Sequence, residues 1–251
     1  SKDKENWIWF LRQLRDVLDT DRKFTFVSDR NYGLLEGINT VFADHFHSYC
    51  MFHLKLNLFD NCRGMPSSVK QRLLYMFREC AYAPNAMQFH EKMNVLLKEG
   101  GDNIKHFLKD LDPCHYANAF FMGQRYGEMS SNVTESSNVK IKETRRFPVT
   151  NLMDKIRVLI MKDMAERKEE CAKWSGTMCP KMQKRLQGAL DEGRTWTISM
   201  SSVDVYEVHC YPSVYVNISE RLCLCGGWQY HGFPCAHVVI VIHLSNTRTG
   251  K

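Results

Sequence analysis

The sequence predicts an α/β chain that gives way, toward its C-terminus, to a small antiparallel β meander closing on a metal-binding loop. Three observations predict it. A helix, a short strand, a second helix and a second strand follow one another up to Cys50, and strand–helix–strand order implies a parallel pair. Three β-rich runs lie between Thr195 and Ile218. Directly after them, Cys223-Leu-Cys225 is answered by Cys235-Ala-His237, four soft or borderline donors within fifteen residues.

The opening helix, Asn6 to Leu18, carries Trp7, Phe10, Leu11, Leu14, Val17 and Leu18 at the spacing of one apolar face. Phe24 to Ser28 reads as a strand ending at Asp29, Gly33 to Phe42 as a helix, and His45 to Cys50 as a strand running into another helix through His53. Functional groups of a parallel α/β unit gather at the carboxyl ends of its strands, where Asp29 sits; its alternative role is to cap the helix that follows. Cys50 and His53, at i and i+3, share a helix face and either bind metal or pack, and the usual burial of cysteine favours packing.

From Pro66 to about Leu111 the pattern is helical, with Val69 to Ala83, Ala86 to Lys98 and Asn103 to Leu111 separated by Pro84-Asn85 and Gly100-Gly101. Leu73, Leu74, Met76, Phe77 and Cys80 form a core stripe there. Another helix starts at Asn132, where Asn132 and Glu135 have the spacing of a capping box. The helix after Pro148 puts Val149, Leu152, Met153, Ile156, Leu159 and Ile160 on one face, and a further helix runs from about Pro180 to Leu190. Thr195 to Met200, Val205 to Cys210 and Val214 to Ile218 make the meander, with His209 and Cys210 read as packing residues. An apolar helix, His237 to Leu244, follows the loop.

The loop itself argues for structural zinc. Two tight pairs of ligands, separated by a turn holding Gly226, Gly227, Gly232 and Pro234, can wrap one tetrahedral ion and leave no open position. His231 is the weaker ligand candidate, because the pairing leaves it unmatched.

With 251 residues the chain can bury one large core or two smaller ones. Ser1-Lys-Asp-Lys-Glu lacks the apolar segment of a signal peptide, so the ten cysteines are expected reduced and the sequons at Asn132 and Asn217 unused. Val238 to Leu244 is far too short to span a bilayer, which leaves a soluble protein with no membrane partner as the expectation. The net charge is +6, and Ser136 to Thr195, with 14 Lys/Arg against 8 Asp/Glu, holds the whole excess. Such a face is solvated in most proteins, but it is also how a phosphate-binding surface begins; Lys140, Lys142, Arg145 and Arg146 are the DNA-contact candidates.

The C-terminal loop, with Trp228-Gln229 and Gly232-Phe233-Pro234 between its ligand pairs, resembles the SWIM-type zinc finger. Ser28-Asp29-Arg30 with Gly33-Leu34, then Tyr49-Cys50 and His53, then Asn132-Val-Thr-Glu135-Ser-Ser-Asn138, resemble the later blocks of Mutator-like transposases, DDE enzymes with a ribonuclease-H-like core. The resemblance implies a partial ribonuclease-H-like core over residues 1–65 and 115–175, a helical insertion over 66–114, and a β meander with the zinc finger over 176–251. It implies catalytic roles for Asp29, as second acid, and Glu135, as third. Cys50 and His53 correspond to the family's C-x-x-H pair, and Cys223, Cys225, Cys235 and His237 to the finger's zinc ligands.

The implied cofactors are Zn²⁺ in the finger and Mg²⁺ between the acids, since oxygen ligands suit Mg²⁺ and thiolates do not. The implied partner is DNA, in the nucleus; protein partners at the finger and self-association are compatible with the pattern. The family's first acid lies on a strand ahead of the opening helix, so this chain is expected not to cleave DNA alone and the Phe24–Ser28 strand to have an open edge. The alternatives are a non-catalytic transcription regulator that keeps the architecture for DNA or protein binding, and a zinc-dependent interaction module.

Overall fold

The computed structural model describes residues 4–18 and 21–249, with the side chains of Val133, Glu135 and residues 246–249 outside the described set. Helix α1 (Lys4–Val17) turns Ile8, Leu11 and Leu14 onto α2 (Tyr32–Val41). Leu11, Ile38, Val41 and Phe42 are buried between them, against Phe26 of β1 (Thr25–Ser28). The two helices approach closely because Gly37 has no Cβ, which would stand 2.9 Å from Leu11 Cδ1. Strand β2 (Phe46–Tyr49) pairs in parallel with β1, Thr25 opposite Phe46 through Ser28 opposite Tyr49, so α2 is the crossover of a β–α–β unit. Among the described residues β1 pairs with β2 alone, and its other edge is open.

A helical block follows: α3 (Met51–Asn61), α4 (Ser67–Ala81) and α5 (Ala86–Leu108), then a 3-10 turn at Pro113–His115. Leu54, Leu58, Leu73, Phe77, Cys80, Leu96, Ile104 and Tyr116 are buried in its core. The expected helix break at Gly100-Gly101 is a kink within α5, where Gly101 takes φ 55° and ψ −139°. Gly100, beside it, accommodates the Ile104 side chain, which a Cβ there would overlap.

Helix α6 (Asn132–Lys140), a 3-10 turn (Glu143–Arg146) and α7 (Val149–Ala172) come next. The apolar face read on α7 is present but uncovered: Leu152, Ile156 and Leu159 are half-buried, while Met153 is 66% and Ile160 52% exposed. Helix α8 (Pro180–Gly193) leads into the antiparallel sheet β3 (Thr197–Ser202), β4 (Val205–His209), β5 (Val214–Asn217) and β6 (Leu222–Cys223), ordered β3-β4-β5-β6. Helices α9 (Gly227–His231) and α10 (Ala236–Thr249) complete the chain. Ile198, Val208, Val216, Val238, Ile240 and Val241 are buried between sheet and α10, and α8 packs close enough that a Cβ on Gly193 would meet Ile240 Cγ1 at 2.2 Å. The fold is therefore mixed α/β with a four-stranded antiparallel sheet near the C-terminus. No helix among the described residues is long and apolar enough to cross a membrane.

Candidate metal centre and carboxylate region

Strand β6 delivers Cys223 to the sheet opposite Val216, and the chain then turns back at Gly226, whose φ of 72° is left-handed. Gly226 N donates to Cys223 O at 2.8 Å, α9 follows, Gly232 at φ 63° ends it, and Cys235 leads directly into α10, so His237 lies on that helix's first turn. The donor atoms of Cys223, Cys225, Cys235 and His237 all lie within 4.8 Å of one another. Cys223 Sγ is 3.3 Å from Cys225 Sγ and 3.8 Å from His237 Nδ1, and Cys235 Sγ is 3.9 Å from the same nitrogen. Tetrahedral zinc, with Zn–S near 2.3 Å and Zn–N near 2.0–2.1 Å, sets neighbouring donors about 3.5–3.8 Å apart, so the set fits the ion.

The four donors are electrostatically coupled. Hydrogen bonds from Cys223 and Cys235 pull the Cys225 thiol far below its ordinary value, and the same cluster pushes the Cys223 thiol up. Burial opposes charge on His237, but its hydrogen bonds to Cys225 and Cys235 outweigh this and hold its imidazolium up to about 10. Zinc takes cysteine as thiolate and histidine as neutral imidazole, so its binding would displace the protons shared within this cluster. Supporting contacts hold the ligands: Gly227 N donates to Cys225 Sγ at 3.4 Å, Gln229 Nε2 to Cys223 O at 2.9 Å, and Trp196 stacks on the His237 ring at 4.8 Å. His231 stays outside the ligand group, in α9. His209 bonds Ser199 Oγ at 2.7 Å, and Cys210 donates to Pro212 O at 3.1 Å.

Asp29 follows β1 directly and is half-buried, its Oδ1 accepting from Asn31 N at 3.4 Å. The capping role open to Asp29 falls to Asn31, whose side chain accepts from Leu34 N at the start of α2. Beside it, Arg30 donates to Asp110 O at 3.3 Å and lies over the Tyr49 ring at 5.6 Å.

Cys50 ties the ends of the parallel strands together, its amide donating to Ser28 O at 2.7 Å. Its thiol is fully buried at the N-cap of α3 and accepts from Ser131 N and Ser131 Oγ, both at 3.3 Å. Burial raises that thiol, but the donors on Ser131 and the His53 amide outweigh it and leave it lowered. Met51 N donates to Met129 O at 2.7 Å. The segment leading into α6 is thus fastened to the carboxyl end of β2, next to the end of β1.

Helix α6 begins at Asn132 with Ser131, not Asn132, at the N-cap; Ser131 makes no side-chain capping bond, its hydroxyl donating to Cys50 Sγ instead. The Glu135 side chain lies outside the described residues. Of the basic candidates, Lys140 pairs with Asp163 at 2.7 Å, Arg145 donates to Asn138 Oδ1 at 2.6 Å, Arg146 stands 3.6 Å from Glu143, and Lys142 is exposed. Exposed pairs of this kind hold about 0–1 kcal/mol each, little enough for a phosphate to displace.

Two residues went unread in the sequence. Arg125, only 5% exposed, donates to Ser48 Oγ at 3.1 Å, Tyr116 O at 3.2 Å and Asn118 Oδ1. Trp196 supports His237 from across the sheet. The available signal for Arg125 was its place in Gly123-Gln-Arg-Tyr-Gly127, a lone base between glycines.

Comparison with known families yields two matches: the Mutator family of transposases over residues 1–170, and the SWIM zinc finger over residues 206–246. No curated protein and no solved structure matches significantly. With most of its length covered by the first match, the chain belongs to the Mutator family of transposases and carries a SWIM zinc finger near its C-terminus.

Proposed function

We propose that this chain is the part of a Mutator-type transposase that supplies two carboxylates, Asp29 and Glu135, to a divalent-metal site acting on nuclear DNA, together with a structural zinc centre at Cys223, Cys225, Cys235 and His237. The observation that carries the reading is the junction at Cys50. Its amide bonds Ser28, the neighbour of Asp29, and its thiol bonds Ser131, which caps the helix bearing Glu135. In support, the β1–α2–β2 unit, with α1 packed against α2, suits our reading of a partial ribonuclease-H-like core over 1–65 and 115–175. The block 66–114 is then an insertion, and 176–251 the zinc-bearing unit.

The chain's own residues have separable roles. Asp29 is relieved of capping by Asn31, so its carboxylate is available to a hard cation. Asp29 and Glu135 would hold Mg²⁺, which would supply activation of the attacking hydroxyl or water and stabilisation of the leaving oxygen. Lys140, Lys142, Arg145 and Arg146 follow Glu135 on the same segment and hold the DNA backbone beside it. The test is Mn²⁺ binding as a spectroscopic proxy for Mg²⁺: Asp29→Asn and Glu135→Gln should each weaken it at least about tenfold without changing zinc content. Unchanged Mn²⁺ affinity in either variant refutes the shared site.

A second reading is a transposase-derived regulator that binds DNA or protein without cleaving, for which the Cys₃His centre, assembled within its own loop, would suffice. Nicking of duplex DNA with Mg²⁺ or Mn²⁺ separates the two, and robust nicking excludes the regulator.

A further inference from the structure

The zinc loop does not stand apart from the transposase part of the chain. Gly127 N donates to Tyr230 O of α9 at 3.2 Å, and Gly127, at φ 83°, lies so close to His231 that a Cβ there would stand 2.8 Å from Nδ1. Gly232, which ends α9, lies against Tyr126: a Cβ would meet its ring at 2.7 Å. Gly226, which begins α9, is seated on Pro84, whose carbonyl oxygen a Cβ would meet at 2.6 Å. Three left-handed glycines therefore make one seam, each at a point where a side chain would push the two surfaces apart.

The far side of the same segment is fastened to the β2 end. Gly123 packs on the Phe46 ring, Arg125 reaches Ser48, Met129 O accepts from Met51 N, and Ser131 bonds Cys50. Residues 123–131 are thus held between the zinc loop and β2, from Phe46 at its start to Cys50 just past its end, and α6 starts at the next residue.

We propose that the zinc centre acts as an intramolecular clamp, with His231 and Gly127 as positioning residues that hold the start of α6, and so Glu135, against the Asp29 end of the sheet. This rests on the carboxylate reading for its meaning, but not for its test. Cys225 and Cys235 flank α9 in sequence, and Gly226 and Gly227 connect it to the ligand pair, so the ion fixes the helix whose Tyr230 carbonyl and His231 ring meet Gly127. His231 is outside the ligand set, so the seam can be altered with the ion retained.

The test is amide hydrogen exchange on the full chain, zinc-loaded and after chelation, with zinc content measured alongside. Chelation should speed exchange about tenfold or more from Gly127 to Lys140 and leave α1, which packs on α2, unchanged. His231→Ala should keep one zinc per chain and unchanged exchange in β3 to β5, yet raise exchange at Gly127 to Lys140. Unchanged exchange in that segment, in either the chelated chain or the variant, overturns the clamp, as does a chain that takes up no zinc. Failure of the carboxylate reading registers separately, as Mn²⁺ affinity indifferent to Asp29→Asn.

Discussion

Replacing Arg125 with Met tests how the segment before α6 is held. The variant keeps the length of the side chain and removes every donor. Three acceptors lose their partner: Ser48 Oγ, Tyr116 O and Asn118 Oδ1, around a guanidinium that is only 5% exposed. Leaving a buried acceptor unpaired costs about 2 kcal/mol, so the three together cost about 6 kcal/mol. Against this, the variant no longer buries a charge. Desolvation already lowers the Arg125 guanidinium to about 10, a shift equivalent to about 3 kcal/mol recovered on substitution. The net loss is about 3 kcal/mol, or about 6–12 °C in melting temperature for a chain of this size. Thermal and urea unfolding of the zinc-loaded chain, followed by circular dichroism, measures it. A variant within about 0.5 kcal/mol of the parent, or more stable, shows that the buried charge costs as much as its bonds contribute, and that Arg125 does not tie the segment down.

Three further outcomes are expected. His237→Ala should lose its equivalent of zinc and His231→Ala retain it; equal loss in both would move the ligand set. Burial, and then the neighbouring His115, lower the His47 imidazole to about 4 from an ordinary 6.5, so the unfolded chain binds the extra proton and stability falls as pH drops through that window. Between pH 7 and pH 5 this amounts to about 2 kcal/mol, a loss that paired urea titrations should find in the parent and not in His47→Gln. Finally, DNA affinity should fall with salt, and Lys142→Ala should reduce the logarithmic slope by about 1; a salt-independent affinity removes the case for phosphate contacts.

What was legible in the sequence was local. The helical periods of α1, α2 and α4, the glycine break in α5 and the β-rich runs of the meander all reappear within a few residues of where the pattern put them, because each is set by its own side chains. The four cysteine and histidine ligands were legible for the same reason: two short pairs and a glycine turn suffice to bring them together. The rest depended on distant partners. Strand β6 is two residues long and exists through its pairing of Cys223 with Val216. Ser131 displaced Asn132 as N-cap of α6 while its hydroxyl found Cys50, 81 positions away in the chain. Arg125 reads as one more surface base until Ser48 is placed beside it, 77 positions earlier. Apolar periodicity on α7 announced a buried face, but periodicity reports which residues share a face and not what lies against it.

The two regions differ in how their sulfurs are engaged. At the zinc loop three sulfurs and an imidazole converge, and the bonds among them are to one another. Beside Asp29 there is a single thiol, and it is engaged: Cys50 accepts two hydrogen bonds from Ser131 while its amide holds Ser28. A sulfur so occupied serves as a staple between β2, α3 and the start of α6, with little left to offer a soft ion. At the end of β1 the Ser28 hydroxyl also meets His47 Nε2 at 2.7 Å, so hydrogen bonds hold the two parallel strands together there. The Cys50-x-x-His53 pair, at i and i+3, differs in spacing from the i and i+2 pairs of the SWIM loop, and its cysteine marks a joint between β2, α3 and the start of α6.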